Sequence, residues 1–268
     1  MLKALLRRKP KPAAPIDTAT LPDGQRVYAI GDIHGRRDLL DQLLDKIVMD
    51  DRMRGPADTH IVFLGDLMDR GPDSAGVIDR AIELSETLGD NVHFLMGNHE
   101  EVYLAAADGD EKLVRFFCKI GGRETILSYD ISPQEYNSLR MEELTERLTT
   151  LLPKRHLDFV RGFKDRIVMG DYAFVHAGIR PGKSIEEQRP KDLRWIREDF
   201  LTSDMNFGCV VVHGHTIVDE VVMKPNRVAL DTGAYRTGVL SALWVENANT
   251  GLLQVFGQPD TNYHAPTA

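Results

Sequence analysis

Cysteine is scarce in this chain. Cys118 and Cys209 are its two examples in 268 residues, and they lie far apart. A disulfide between them is not expected, and both read as small buried hydrophobes in a reducing compartment. No run of eighteen apolar residues occurs, so no transmembrane helix is expected. The N-terminal apolar stretch Ala4-Leu5-Leu6 is too short for a signal-peptide core, which points to a cytoplasmic protein. Positive charge is also short. The formal net charge is −8, and without the five basic residues Lys3, Arg7, Arg8, Lys9 and Lys11 the remaining body carries −13. Such a body repels polyanions, so nucleic acid is a poor partner. The basic segment, with Pro10, Pro12 and Pro15, reads as a flexible tail over residues 1–22. A few basic residues do not give stable membrane association.

What is present is an alternation of short apolar runs and amphipathic stretches. Val27-Tyr28-Ala29-Ile30, His60 to Leu64 and Val92 to Met96 read as buried strands, each ending at a glycine. Leu39, Leu40, Leu43, Leu44, Ile47 and Val48 recur at helical spacing between the first two, and Val77, Ile78, Ala81, Ile82 and Leu84 between the second and third. Strand, helix, strand, helix, strand predicts an α/β sheet with parallel members, and the length fits one large α/β domain or two small ones. Residues of about 101–165 break the rhythm and read as a helical insert. Within it, Ser132-Pro133-Gln134-Glu135 starts a long helix that runs to Leu152 and stops at Pro153. Strands return at Tyr172 to Val175, Cys209 to Val212, Val228 to Leu230, Leu240 to Val245 and Leu252 to Phe256. Residues 259–268 read as a C-terminal tail.

The apolar runs end in polar motifs. Gly31-Asp32-Ile33-His34-Gly35, Gly65-Asp66-Leu67-Met68-Asp69-Arg70-Gly71 and Gly97-Asn98-His99-Glu100 are followed by His176-Ala177-Gly178 and His213-Gly214-His215-Thr216. In parallel sheets, functional groups gather beyond the carboxyl ends of the strands, where these motifs fall. Asp32, His34, Asp66, Asn98, His176 and His215 are carboxylate, imidazole and amide donors with no thiolate among them, a set that suits Mn, Fe or Zn. Six donors exceed what one open site uses and suit two adjacent ions sharing a carboxylate. Such a pair clamps the attacking and departing oxygens of an in-line displacement.

The three motifs and two histidine elements resemble the calcineurin-like metallophosphoesterase superfamily. More narrowly, they resemble its bacterial and phage-type serine/threonine phosphoprotein phosphatases, from about Val27 to Thr237. The resemblance implies a four-layer α-β-β-α sandwich as one domain over residues 23–258, with a helical insert and two divalent ions, manganese first and iron or zinc as alternatives. Asp32 and His34 would hold one ion, Asp66 would bridge, and Asn98, His176 and His215 would complete the other. Hydroxide held by the metals would attack phosphorus. His99 would protonate the leaving alkoxide, with Asp69 orienting it. Arg70 would grip phosphoryl oxygens beside Asn98, and a second arginine after Trp195 would be Arg197 or Arg194, with Arg197 favoured. Asp231 would accept from His215, and His213 would point away from the metals. The implied partner is a phosphorylated protein or peptide.

Rival readings are a symmetrical bis(5'-nucleosyl)-tetraphosphatase and a phosphodiesterase of the same superfamily. The first usually has alanine where this chain has Asp69 and aspartate where it has Glu100; the second typically lacks the Asp69-Arg70 pair.

Overall fold

Successive residues of Gln25–Ile30 point to opposite faces of a sheet, and both faces are buried. Val27 and Ala29 join one apolar cluster, Tyr28 and Ile30 another. A strand covered on both sides needs layers on both sides. The computed structural model, which describes residues 16–259, supplies them. Ten strands run through the described residues: Gln25–Ile30 (β1), Asp58–Phe63 (β2), Val92–Phe94 (β3), Arg166–Met169 (β4), Tyr172–Val175 (β5), Val210–His213 (β6), Val222–Lys224 (β7), Arg227–Ala229 (β8), Val239–Glu246 (β9) and Asn249–Phe256 (β10). They form two five-stranded sheets, in the orders β10-β9-β1-β2-β3 and β4-β5-β6-β8-β7.

The inner faces of the two sheets meet in one core. It contains Val27, Ala29 and Val62 from the first sheet and Tyr172, Phe174, Val210, Val212 and Val228 from the second. The outer face of the first sheet is covered by helices Arg37–Arg54 (α1) and Ser74–Leu88 (α2), through Leu39, Leu40, Leu43 and Val77. Val48, expected on this apolar stripe, faces solvent at 46% exposure. Leu193 and Phe200 cover the second sheet against Ala173, Val175 and Val211. This is the expected four-layer sandwich. β1, β2 and β3 are mutually parallel, as are β5, β6 and β8, while β9 runs antiparallel to β1. The parallel strands therefore deliver their carboxyl ends, and the motifs that follow, to one edge of the sandwich.

The insert is helical, in more pieces than the periodicity suggests. It comprises Asn98–Ala107 (α3), Glu111–Phe117 (α4), Arg123–Leu127 (α5), Pro133–Ser138 (α6), Met141–Leu151 (α7) and Lys154–Arg161 (α8), packed round Tyr103, Phe117, Ile126 and Leu148. The single helix expected over 133–152 is two. Leu139 and Arg140 are extended, and the Glu143 carboxylate accepts the Arg140 N–H at 2.7 Å, which starts a new helix. Pro153 caps the next helix rather than only ending the last. The chain then returns through β4 and β5, and two short helices, Pro190–Trp195 (α9) and Glu198–Leu201 (α10), follow.

The expected N-terminal tail lies mostly outside the described residues. Its described part is packed: Ala19 and Leu21 are buried in the inter-sheet core, and Asp171 accepts the Thr20 N–H at 3.0 Å. No helix among the described residues is long and apolar enough to cross a membrane. Cys118 and Cys209 are both free thiols.

Candidate metal centre

Each motif leaves its strand and turns at once. Among the described residues, five of the six non-glycine residues with positive φ are site residues: His34 (47°), Asp66 (51°), Asp69 (70°), Arg70 (71°) and His215 (63°). A left-handed backbone disfavours L-residues, so the fold imposes these turns. Gly97 is needed for space. A Cβ there would lie 2.2 Å from Asp66 Oδ1.

Asp66 occupies the middle. Its Oδ1 lies 3.4 Å from His176 Nε2 and its Oδ2 lies 3.6 Å from His34 Nε2. Two donor groups share it, one of His34, Asp66 and His99, the other of Asp66, His176 and His215. The imidazoles are pre-aimed. His34 Nδ1 donates to the Met68 carbonyl at 2.7 Å and His176 Nδ1 to the Leu64 carbonyl at 2.9 Å, leaving each Nε2 turned inward. Asn98 Oδ1 lies 2.7 Å from His215 Nδ1 and 3.0 Å from His176 Nε2, so the amide converges on the second group. Asp32 stands beside it: its Oδ2 accepts the His215 N–H at 3.0 Å, and its buried Oδ1 has no hydrogen-bond partner among the described residues.

The electrostatics fit a cationic occupant. Burial, then the Asp231 and Asp66 charges, pushes Asp32 well above the usual carboxylate range, and burial pushes Asp66 up to about 8. Burial holds His176 down at about 4 and His34 well below its ordinary value. Neutral imidazoles and crowded carboxylates with an orphaned oxygen are the donor chemistry of a divalent metal site, because a cation relieves the carboxylate repulsion. Asp32, His34, Asp66, Asn98, His176 and His215 are the residues that would hold the ions.

His99 points its Nε2 into the same space, 3.8 Å from Asp66 Oδ2, and its Nδ1 lies 2.6 Å from Asp69 Oδ2. Arg70 donates to His34 Nε2 at 3.0 Å and to His99 Nε2 at 2.9 Å, which places the guanidinium between the two rings. Arg197 is exposed, and its positive charge adds to burial, the main cause, in lowering the pKa of His99, His176 and His215, whereas Arg194 is paired with Asp165. His213 packs on Phe200 outside both donor groups. Asp231 departs from expectation. Its Oδ1 accepts the Gly233 N–H at 2.9 Å, while its Oδ2 and His215 Nε2 are both buried without a hydrogen-bond partner among the described residues, so it does not accept from His215. The loop after β8 brings the two carboxylates together, so Asp231 adds charge beside the Asp32 end of the centre.

Other residues of the site give little sign of their role in the sequence. Glu100 is wholly buried, and its carboxylate accepts the N–H groups of Asp66, Leu67 and Gly97 at 2.9, 2.8 and 2.9 Å, which ties the second and third motifs together. Thr125 and Ser74 surround Asp69. The one hint of Thr125 in the sequence is the nearby Gly121-Gly122 pair, which interrupts the helical pattern of the insert. A recess of about 660 Å³ opens beside Arg70, lined by Arg36, Arg37, Glu124 and Tyr235 among others.

Residues 25–239 match the calcineurin-like phosphoesterase family. The chain belongs to that family. It is a member of the metallophosphoesterase superfamily, and the fold implies divalent metals at the donor groups just described. It is 35% identical over 161 residues to a symmetrical bis(5'-nucleosyl)-tetraphosphatase of Acidovorax sp. (strain JS42), an alignment covering 60% of this chain and 47% of that protein. The chain thus spans about half the length of that relative. It is 29% identical over 234 residues to an asymmetrical bis(5'-nucleosyl)-tetraphosphatase of Anoxybacillus flavithermus, covering 80% of this chain and 88% of that protein. Among solved structures, a candidate diadenosine tetraphosphatase superposes with a TM-score of 0.59 at 22% identity, covering 91% of this chain and 100% of that one. A cold-active protein-tyrosine phosphatase of a psychrophilic Shewanella superposes with a TM-score of 0.55 at 19% identity, over 91% and 84% of the two chains. At these identities the structures share a fold.

Proposed function

We propose that this chain hydrolyses phosphate esters and anhydrides at a two-metal centre, with bis(5'-nucleosyl) tetraphosphates as its substrate class. The observation that carries the reaction is the His99–Asp69 pair set against the metal donors, with His99 Nδ1 2.6 Å from Asp69 Oδ2. When bound, the metals supply water activation and neutralise developing charge. Asp69 fixes the ring of His99 so that Nε2 faces the leaving oxygen and can hand it a proton. Arg70 and Arg197 hold phosphoryl oxygens through their planar forks.

The names of the curated relatives support the tetraphosphate reading, and so does the recess beside Arg70, whose size suits a nucleoside-sized group. A second reading, serine/threonine phosphoprotein phosphatase, is favoured by the oriented acid, because an alkoxide is a poor leaving group and needs a proton. The test is one manganese-loaded preparation assayed on diadenosine tetraphosphate and on phosphoserine and phosphothreonine peptides. The expected result is a kcat/KM for the tetraphosphate about tenfold or more above the peptides, equivalent to about 1.4 kcal/mol in transition-state stabilisation. A peptide preference of that size makes the protein-phosphatase reading correct.

A further inference from the structure

Asp69 is entirely buried, and every polar atom of its carboxylate is engaged. Oδ2 meets His99 Nδ1 at 2.6 Å. Oδ1 accepts the hydroxyl proton of Thr125, also at 2.6 Å. The Asp69 N–H is shared between Thr125 Oγ1 at 2.9 Å and Ser74 Oγ at 3.0 Å, and the two hydroxyl oxygens lie 2.9 Å apart. Thr125 and Ser74 are themselves fully buried. Thr125 belongs to α5 of the helical insert, whereas Ser74 opens α2 of the sandwich. The insert approaches at a second place as well: the Gly121 carbonyl accepts the Arg70 N–H at 2.9 Å. Gly121 has a φ of 117°, and a Cβ on it would lie 2.6 Å from Arg70 Cγ. The insert therefore grips two consecutive residues, Asp69 and Arg70, at the turn where both are left-handed.

We propose that Thr125 is a positioning residue for proton transfer, and that through it the helical insert aligns the Asp69–His99 pair. Thr125 belongs to neither group of metal donors. Its action passes through Asp69. A carboxylate in contact with an imidazole can rotate about its last side-chain bond, and a second, charge-assisted hydrogen bond on the other oxygen stops that rotation. With Thr125 removed, Oδ1 becomes a buried acceptor without a partner and the carboxylate turns to find one. The ring of His99 then loses the orientation it needs toward the leaving oxygen. The insert on this view is part of the catalytic apparatus and not only a covering layer.

The inference rests on His99 being the proton donor, and the test separates the two claims. Manganese-loaded full-length enzyme is assayed on aryl phosphates of graded leaving-group ability, from 2,4-dinitrophenyl phosphate to phenyl phosphate. Thr125→Val removes the hydroxyl at constant shape. It is expected to lower kcat on phenyl phosphate by about tenfold, the order of effect of one lost hydrogen bond. KM, metal content and turnover of the dinitrophenyl ester should stay near wild type. Thr125→Ser should restore most of the loss. Thr125→Ala carries the same expectation if the valine variant does not fold. His99→Asn is run alongside and should show the same dependence on leaving group, more steeply. If His99→Asn shows that dependence and neither Thr125 variant does, the positioning role is wrong while the acid assignment stands. A loss that is equal across all leaving groups and not rescued by serine also overturns it. If His99→Asn shows no leaving-group dependence, the acid assignment itself falls, and the inference with it.

Discussion

Arg194 is locked onto Asp165: its Nε and Nη2 lie 2.8 and 2.7 Å from the same carboxylate oxygen. The side chain that follows Trp195 by two positions, Arg197, is instead exposed, and its charge is felt at three histidines of the centre. Trp195 is itself held, its indole N–H donating to Glu101 at 2.8 Å, so the register of the two arginines is fixed. Arg197→Ala is expected to lower kcat/KM by about tenfold or more, as loss of a charged contact to phosphate should. Arg194→Ala is expected to leave KM unchanged and to cost up to about 1 kcal/mol in urea unfolding. Steady-state kinetics on the pair decide it, and the reverse pattern would assign the clamp to Arg194.

Removal of metal should silence the enzyme. Dialysis against a chelator is expected to abolish turnover, and added Mn²⁺ to restore it, because two donor groups share Asp66, Asn98 converges on the second of them, and a buried carboxylate oxygen of Asp32 is unpartnered. Elemental analysis of the dialysed sample accompanies the assay. Full turnover in a verified metal-free sample would refute a two-metal mechanism.

His99 shares one donor group with His34 and Asp66 yet is assigned to proton transfer. His99→Ala is expected to lower kcat roughly 10²- to 10⁴-fold with both metals retained. Loss of a metal equivalent on substitution would make His99 a ligand instead.

Much of this centre is legible in the amino-acid sequence. Each donor follows an apolar run and sits between or beside glycines, so spacing alone carries Asp32, His34, Asp66, Asn98, His176 and His215 to the strand ends. Parallel pairing of β1, β2 and β3 then puts the first four together. What stays hidden in the sequence depends on contacts across long separations. Thr125 reaches Asp69 over 56 positions, and no periodicity reports such a contact. Asp231 accepts from Gly233 and not from His215 because of how the loop after β8 returns, which strand alternation does not determine. The break at Leu139 and Arg140 is hidden for a local reason: the apolar pattern continues through it, and one Glu143 carboxylate restarts the helix. The edge strands β4 and β7 are short and half exposed, so their alternation is weak.

Away from the metals, β2 and β3 hold a histidine pair that should make stability pH-dependent. His93 Nε2 lies 3.2 Å from His60 Nδ1, and His60 Nε2 lies 3.2 Å from Asp58. Burial, followed by the His60 and Lys164 charges against an opposing one from Asp90, holds His93 at about 4, below its ordinary 6.5. The folded chain thus prefers the neutral ring. Above the unfolded value both states are neutral and the contribution is complete. As pH falls from 6.5 toward 4 the unfolded chain takes up the proton first and stability drops; below that window this residue costs nothing more. Urea midpoints at about pH 7.5 and about pH 5 should fall further for wild type than for His93→Gln. Equal falls would exclude His93 as the source.

The left-handed backbone at His34, Asp66, Asp69, Arg70 and His215 sets a limit on how this protein can vary. Each such residue is disfavoured by about 1–2 kcal/mol relative to a right-handed one, least for aspartate. Glycine would relax every one of these turns, so random exchange filtered only for robustness would drift toward glycine there. Each of those exchanges deletes a side chain proposed as a metal donor, as the acid's partner or as the phosphate clamp. Heat tolerance and turnover therefore pull against each other at the same five positions. Thermostable descendants of this chain should gain their stability elsewhere and keep these five side chains.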